Sequence, residues 1–348
     1  RLSLYHNIDC VIGLRKNKEI TITIRRISKN TRHQSMPNKV KYGIKVPNSV
    51  CKALILDKEN NNTLWGDTIM KEMMALNEAK CFEYFPPHHR FAKDYQYTPL
   101  RIIFDVKKED LRRKARLVAG GHVVDSSMYE SYSSVVQSRT LRILQTIAAN
   151  ENMRVITSDV GNAFIQAFIK EKIFSRCGKE FGNHEECVIR IRKALYSLAT
   201  SARHWSLALG DVLRDTGFTP SRVDPDLWIR LDEINNCYDY IATHVDDLII
   251  VSKNPEKYID SMKKHFPLRH VEENPDFYLG NNMTTREDST VKVSLEKYIK
   301  EVIWKFEADN GEIRKENVPY SPGDHPEMDN SPRLNEEGIK EFQSIIGI

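Results

Sequence analysis

Three aspartates carry most of the chemistry this sequence could do. Asp246 and Asp247 are adjacent in the run Tyr240-Ile-Ala-Thr-His-Val-Asp-Asp-Leu-Ile-Ile-Val251, with strand-forming apolar residues on either side. Two such arms around Asp-Asp read as a hairpin with the acids at its tip, where Asp tolerates turn geometry. Asp159 has a similar setting, at the end of Arg154-Val-Ile-Thr-Ser-Asp159 and close before Gly161. Carboxylates at the ends of neighbouring strands form a nest of hard oxygens suited to Mg²⁺, which takes a few carboxylates plus substrate phosphates. Two such ions about 4 Å apart serve phosphoryl transfer, activating a hydroxyl and stabilising the departing phosphate. An ordinary structural hairpin fits the same residues, and spacing alone does not separate the two readings. A turn does not, however, account for flanks so apolar that the acids must sit on a buried sheet. Cys177, His184 and Cys187 come nearest to a second metal cluster, without a fourth ligand at zinc-like spacing.

The composition sets limits on function. With 348 residues the chain can hold two or three domains or one multi-lobed one. Forty per cent apolar residues and a mean hydropathy of −0.51 describe a globular protein, and no apolar run approaches the roughly 20 residues a bilayer span requires. No membrane partner is expected. The first residues lack a starting Met and the layout of a signal peptide, which reads as a piece of something longer. Six scattered cysteines without a CxxC pair suggest reduced thiols in an intracellular compartment. The net charge of +4 is uneven: residues 1–52 hold 12 Lys/Arg against 2 Asp/Glu, and residues 90–142 hold 11 against 6. A basic arm and a basic patch in an otherwise acidic chain are what a phosphate backbone calls for, although a solvated basic linker fits the arm equally well.

The elements that must position the acids mix helices with antiparallel strands, an α+β pattern. No Gly-rich nucleotide loop appears. A helix is expected from Thr63 to about Phe85, with Trp65, Ile69, Met73 and Leu76 on one face and Pro86-Pro87 as its stop. The runs Leu100–Val106 and Ala115–Ala119 flank a charged turn and read as a hairpin. A helix over about Ser138–Asn150 leads into the strand ending at Asp159. A short helix is then expected before a strand at Cys187–Ile191. The segment Ala202–Thr216, stopped by Gly217, reads as a helix with Trp205 and Leu209 in the core. Strands at Leu227–Arg230, Tyr238–Thr243 and Leu248–Val251 come next, then a helix across Pro255–Phe266.

Several stretches resemble, in order, those of copia-type reverse transcriptases from the Pol polyproteins of LTR retrotransposons. They are Tyr42-Gly-Ile-Lys-Val-Pro47, Trp65 with Lys71-Glu-Met73, and Lys114-Ala-Arg-Leu-Val-Ala-Gly-Gly-His122. Tyr132-Ser-Ser-Val-Val136, Asp159-Val-Gly-Asn-Ala-Phe164 and Lys193-Ala-Leu-Tyr-Ser-Leu198 come after them, the last with Arg203 and Trp205. Gly217-Phe218, Asp224-Pro-Asp-Leu-Trp228, His244-Val-Asp-Asp247 and Tyr278-Leu-Gly280 complete the series. Each is weak alone, and together they cover roughly residues 40–348.

The resemblance implies the right-hand polymerase fold, with fingers, palm and thumb built on an antiparallel palm sheet. Residues 1–45 would be a basic arm or linker, 46–252 fingers and palm, and 253–348 the thumb and the start of a connection to a missing ribonuclease H domain. Asp159, Asp246 and Asp247 would hold two Mg²⁺ ions, with Mn²⁺ able to substitute, and Asp247 the least directly involved. Lys114 and Arg116 would clamp the incoming dNTP, and Phe164 would match the aromatic gate that excludes a ribose 2′-hydroxyl. The implied activity is RNA-directed DNA synthesis on an RNA or DNA template with primer, alongside integrase and ribonuclease H in the full polyprotein. The implied setting is a cytoplasmic virus-like particle with later nuclear entry. His244 stands where Tyr is usual, Ser197 where Gly is usual, Ala199 where Lys is common, and Gly120 where many members have Arg. These departures keep a second reading open, a decayed, non-catalytic remnant that binds nucleic acid. A different two-carboxylate phosphoryl transferase, such as a nuclease, would be expected to carry more acids or His near Asp159.

Overall fold

The computed structural model of the chain describes residues 39–107, 110–285, 290–313 and 332–346. Most of the basic arm lies outside them. A small hairpin, β1 (Lys39–Lys41) and β2 (Ile44–Val46), leads into helices α1 (Val50–Glu59) and α2 (Leu64–Glu78). The Trp65, Ile69, Met73 and Leu76 stripe of α2 is buried as its spacing predicts. Thr63 stands at the N-cap, but its side chain accepts no capping bond. The buried Asp57 of α1 does that work, accepting from the N–H groups of Trp65 at 3.0 Å and Gly66 at 2.7 Å.

The expected run of this helix to Phe85 is not observed. Lys80 adopts a left-handed φ of +55°, and Cys81 and Lys80 donate back to Leu76 and Asn77. This Schellman turn ends the helix and frees Phe82–Phe85 to form β3. Pro86-Pro87 therefore ends a strand. Next come β4 (Gln96–Tyr97) and the hairpin β5 (Leu100–Val106) with β6 (Arg113–Ala119), whose strands pair from Leu100↔Ala119 to Val106↔Arg113.

Beyond α3 (Ser138–Asn150) and β7 (Arg154–Val160), the short helix expected after Gly161 is only a 3₁₀ turn at Ala163–Gln166. It is followed by a long strand, β8 (Phe168–Arg176), and then by β9 (Val188–Lys193). In β8, residues 171, 173 and 175 are buried while 170, 172 and 176 are exposed, the alternation of a strand with one wet face, and its pairing with β9 shifts register between Phe168 and Ile173. Strands β3, β9, β8 and β4 form one sheet in that order, with β4 parallel to β8. One core joins this sheet to α1, α2 and the β5–β6 hairpin.

The remaining strands build the sheet that carries the acids. After α4 (Ser201–Asp215) come β10 (Thr219–Pro220), β11 (Leu227–Asp232), β12 (Cys237–His244) and β13 (Asp247–Ser252). Helix α5 (Glu256–Lys263) and strand β14 (Leu268–Glu273) are next. The sheet order is β10-β11-β12-β13-β7-β14, antiparallel throughout. Helices α4 and α5 pack Trp205, Leu209, Leu213, Tyr258 and Met262 against Ile156, Leu248 and Ile250 on one face. Leu144 and Ala148 of α3, with Tyr278 and Met283, pack against Val155, Ile249 and Val251 on the other. Burial on both faces explains why Leu248–Val251 is continuously apolar. The anticipated boundary at residue 252 does not coincide with a break in this sheet, because β14 is its edge strand. A three-stranded sheet comes after it, β15 (Phe277–Tyr278), β16 (Asn281–Thr285) and β17 (Val291–Ser294), and then α6 (Glu296–Asn310) and α7 (Glu336–Ile346).

The two lobes meet where Ala119 donates to the Tyr196 carbonyl at 3.0 Å. A Cβ on Gly121 would lie 2.0 Å from the Ser197 carbonyl oxygen, so only glycine fits there. Ser197 itself is exposed and holds φ +71°, a conformation that costs a residue with a Cβ roughly 1 kcal/mol. Replacing Ser197 with Gly should raise stability by up to about 1 kcal/mol, read as a higher denaturation midpoint. A midpoint that falls would show that the serine side chain compensates for its backbone. Gly121→Ala should act in the opposite direction.

Candidate active site

The β12–β13 register ends at His244↔Asp247, leaving Val245 and Asp246 as a two-residue turn. Val245 has φ +59° and Asp246 does not share the left-handed region, the pattern of a type II′ hairpin. A β-branched residue there is strained by roughly 1–3 kcal/mol, so the surroundings must hold it. Trp205, almost completely buried, donates its indole N–H to the Val245 carbonyl at 2.6 Å. From the other side, Val160 donates its backbone N–H to the Asp246 carbonyl at 2.7 Å. The core residue Trp205 thus also clamps the acidic turn.

Pairing of β13 with β7 sets Asp247 opposite Asp159. Asp159 lies within hydrogen-bonding reach of Asp246. Burial and then the Asp246 charge raise the Asp159 carboxyl above its ordinary range, with Arg269 and His270 pulling the other way. Asp247 is pushed up to about 6, again by burial first and then by Asp246 and Asp159, while His244 opposes the rise. The three acids crowd one another in a poorly hydrated place.

They open into a cavity of about 1070 Å³ whose opposite wall is cationic. Asp159, Asp246 and Asp247 line it together with Lys114 and Arg116 of β6. Burial, then the neighbouring Arg116 and Lys107, lowers the Lys114 ammonium pKa. The Arg116 guanidinium lies 4.6 Å from the centre of the Tyr196 ring. Phe164 does not line the cavity: its ring meets Tyr196 edge-on at 5.2 Å and stands behind it.

Sequence reasoning missed four participants. Glu72 of α2 accepts from Leu117 N–H at 3.0 Å, and Thr68, one turn earlier, donates to the Arg113 carbonyl at 3.2 Å. Together they cover the free edge of β6 and fix the cationic wall to α2. Burial raises the Glu72 carboxyl despite Arg116 and Lys114 nearby. Tyr196 and Glu72 lie within stretches already singled out, but nothing local marked them as lining residues. Arg269 had no sequence signal, since it arrives through the pairing of β14 with β7, opposite Asp159. Among the described residues no three His, Cys, Asp or Glu side chains are disposed as a set that could hold a metal ion. Cys177 and Cys187 are joined by backbone hydrogen bonding, but burial pushes the Cys177 thiol up to about 12, against its serving as a thiolate ligand, and His184 stacks on Tyr84. No described helix is long and apolar enough to cross a membrane.

A family model described as reverse transcriptase (RNA-dependent DNA polymerase) matches residues 90–319. The Retrovirus-related Pol polyprotein from transposon RE1 of Arabidopsis thaliana is 26% identical over 267 residues, covering 71% of this chain and 18% of that protein. The Transposon Ty1-LR2 Gag-Pol polyprotein of Saccharomyces cerevisiae is 27% identical over 273 residues, covering 73% and 15%. The chain thus spans less than a fifth of the length of these curated relatives.

The elevated Asp247 pKa has a consequence for stability. The folded chain holds this proton more tightly than the unfolded one, so stability is highest below about pH 4 as far as this group is concerned. It falls as pH rises toward about 6 and is level above that. Asp247→Asn should therefore raise the melting temperature at pH 7.5, with the gain disappearing near pH 4. A gain independent of pH would assign the effect to packing instead.

Proposed function

This chain belongs to the reverse transcriptase (RNA-dependent DNA polymerase) family, and we propose that it performs two-metal nucleotidyl transfer for a copia-type Pol polyprotein, extending a primer on an RNA template with dNTPs. The observation that carries this reading is the cavity in which three crowded carboxylates face Lys114 and Arg116. Phosphoryl transfer needs little beyond positioned charge of both signs. Asp159, Asp246 and Asp247 are not drawn together as a three-ligand set in this structure, but they are all carboxylates and like charges raise two of them, a crowding that a hard dication drawing them in would relieve. Mg²⁺ held by these three would supply the positive charge that activates a 3′-hydroxyl and neutralises the leaving pyrophosphate.

The protein's own groups have separate tasks in this proposal. Lys114 and Arg116 bind the triphosphate, and Tyr196 holds Arg116 through its ring. Phe164 does not reach the lining, so it supports Tyr196 edge-on and the expected exclusion of the ribose 2′-hydroxyl falls to Tyr196, the ring in front of it. In right-hand terms, the β5–β6 hairpin and the four-stranded sheet serve as fingers and the six-stranded sheet as palm. The thumb and the connection toward a ribonuclease H domain lie beyond β14, and the basic arm over 1–45 precedes the fingers. Primed RNA or DNA and the other Pol domains are the partners, and an intracellular particle is the setting. The strained Ser197 favours, as a second reading, a decayed copy that binds template without extending it.

Primer extension on poly(rA)·oligo(dT) with Mg²⁺ and dTTP, with Asp246→Asn in parallel, tests the reading. Extension by the parent and none by the variant, at equal template binding, is the expected outcome. Folded, template-bound protein that extends nothing would favour the decayed copy. In the active parent, Lys114→Ala with Arg116→Ala should raise the KM for dTTP by about tenfold or more, the loss of two charge-assisted contacts. An unchanged KM would remove both from the site.

A further inference from the structure

The β8–β9 hairpin closes on a pair of thiols that the acidic cavity does not use. Its last regular pair is Arg176↔Val188, so the next residues to face each other are Cys177 and Cys187. Cys177 donates its backbone N–H to the Cys187 carbonyl at 2.9 Å, and its own carbonyl accepts from the Glu186 N–H at 3.1 Å. Glu186 stands at φ +69°, which makes this a bulge of the kind that usually places glycine there. Cys187 keeps its register beside the bulge, and both thiols project to the face opposite Arg176 and Val188. That face is the core shared with α1, α2 and the β5–β6 hairpin, in which Cys177 is buried and Cys187 half-buried.

Residues directly opposed across antiparallel strands have Cα atoms about 5.5 Å apart, the separation at which disulfides cluster. Both thiols are free, and burial first and then the neighbouring Cys187 push the Cys177 thiol up to about 12. The other described cysteines are on different elements: Cys51 on α1, Cys81 just before β3 and Cys237 on β12. Residues 178–186, between the two thiols, fold back on β3. Phe181 meets Phe82 and Tyr84 edge-on at 5.4 Å and 6.5 Å, and His184 stacks on Tyr84 at 4.2 Å. A bond across the neck of this loop would turn it into a covalent clasp on β3.

We propose that Cys177 and Cys187 are a reversible modification site, oxidised to an intramolecular disulfide by a low-molecular-weight disulfide of the glutathione type. The Cys187 thiolate, the more accessible of the two, attacks one sulfur of the reagent RSSR, forming Cys187–S–S–R and releasing RS⁻. Cys177 then gives up its proton and attacks the Cys187 sulfur, and the second RS⁻ leaves. Two protein thiols lose two electrons and two protons in total, and RSSR is reduced to two RSH. Burial of Cys177 slows the second step, because the thiolate is the attacking species. The fixed placement of the two residues across the hairpin offsets that cost.

Mixtures of oxidised and reduced glutathione, followed by alkylation and a non-reducing peptide map, read the bond directly on the whole chain. A peptide joining Cys177 to Cys187, lost on adding dithiothreitol, is the expected product. The oxidised chain should melt roughly 5 °C above the reduced one, because the closed loop cannot open fully on unfolding. Cys177→Ala should stop at the glutathione adduct on Cys187 and lose the rise. Cys187→Ser should leave Cys177 unmodified in the folded chain, with no accessible thiol beside it to start the exchange. A linked peptide that forms only in denaturant, or a parent chain that stops at the adduct, would overturn the proposal. So would a melting temperature lowered by oxidation, the sign of a bond that distorts the hairpin. None of these readouts depends on primer extension.

Discussion

Strands β7 and β13 pair so that Asp159 faces Asp247, and the strand residues below that pair are buried on both sides of the sheet. The half-buried carboxylates open into the cavity. Their mutual repulsion cannot relax by sliding without breaking the ladder that pairs Asp247↔Asp159 through Ser252↔Arg154. The strained turn at Val245 is tied from the α4 side by Trp205 and from the β7 side by Val160. Stability elsewhere in the sheet is thus used to hold a local arrangement that would otherwise come apart. Proteins commonly accept such a conflict at sites of chemistry and compensate for it in the surrounding core.

The opposite wall is assembled by different means. A two-stranded hairpin is marginal alone in water, and β5–β6 is made rigid by α2 lying along its free edge. Thr68 and Glu72 are one helical turn apart and reach Arg113 and Leu117, four residues apart on the strand. The cations of β6 therefore move with the helix. Arg116 is further pinned by Tyr196, which belongs to the connection between the two lobes. Acids and cations are each held by their own core, and the cavity is the gap where the two cores face each other.

Much of this was legible in the residues. The acidic hairpin, the strand ending at Asp159, the β5–β6 hairpin and the Trp205 helix all followed from apolar periodicity and turn chemistry. Asp159, Asp246, Asp247, Lys114 and Arg116 do line one cavity. The failures have physical causes. Lys80, a residue without glycine's freedom, takes the left-handed position that ends α2, so no local signal separated helix from strand before Phe82. Strand β8 was hidden because the exposed Phe168 and the half-buried Phe174 stand where polar residues would have made the alternation plain, and because its register with β9 shifts between Phe168 and Ile173. Phe164 sits one ring behind the lining, a difference in depth that spacing cannot express. Arg269 and Glu72 reach the cavity through pairings between segments far apart in the chain.

Gly161 adds a different kind of sensitivity. A Cβ built there would lie 2.5 Å from Nε of Arg269 and 2.8 Å from its Cζ, so the guanidinium occupies the space a methyl group would take. Arg269 is also one of the two groups that hold the Asp159 carboxyl down. The smallest possible side chain at this uncharged position would push the arginine aside. The proton affinity of an aspartate two residues earlier would then rise. Steric volume at Gly161 is in effect a dial on acidity, and a variant there would read in an assay as a charge mutation although no charge had been changed.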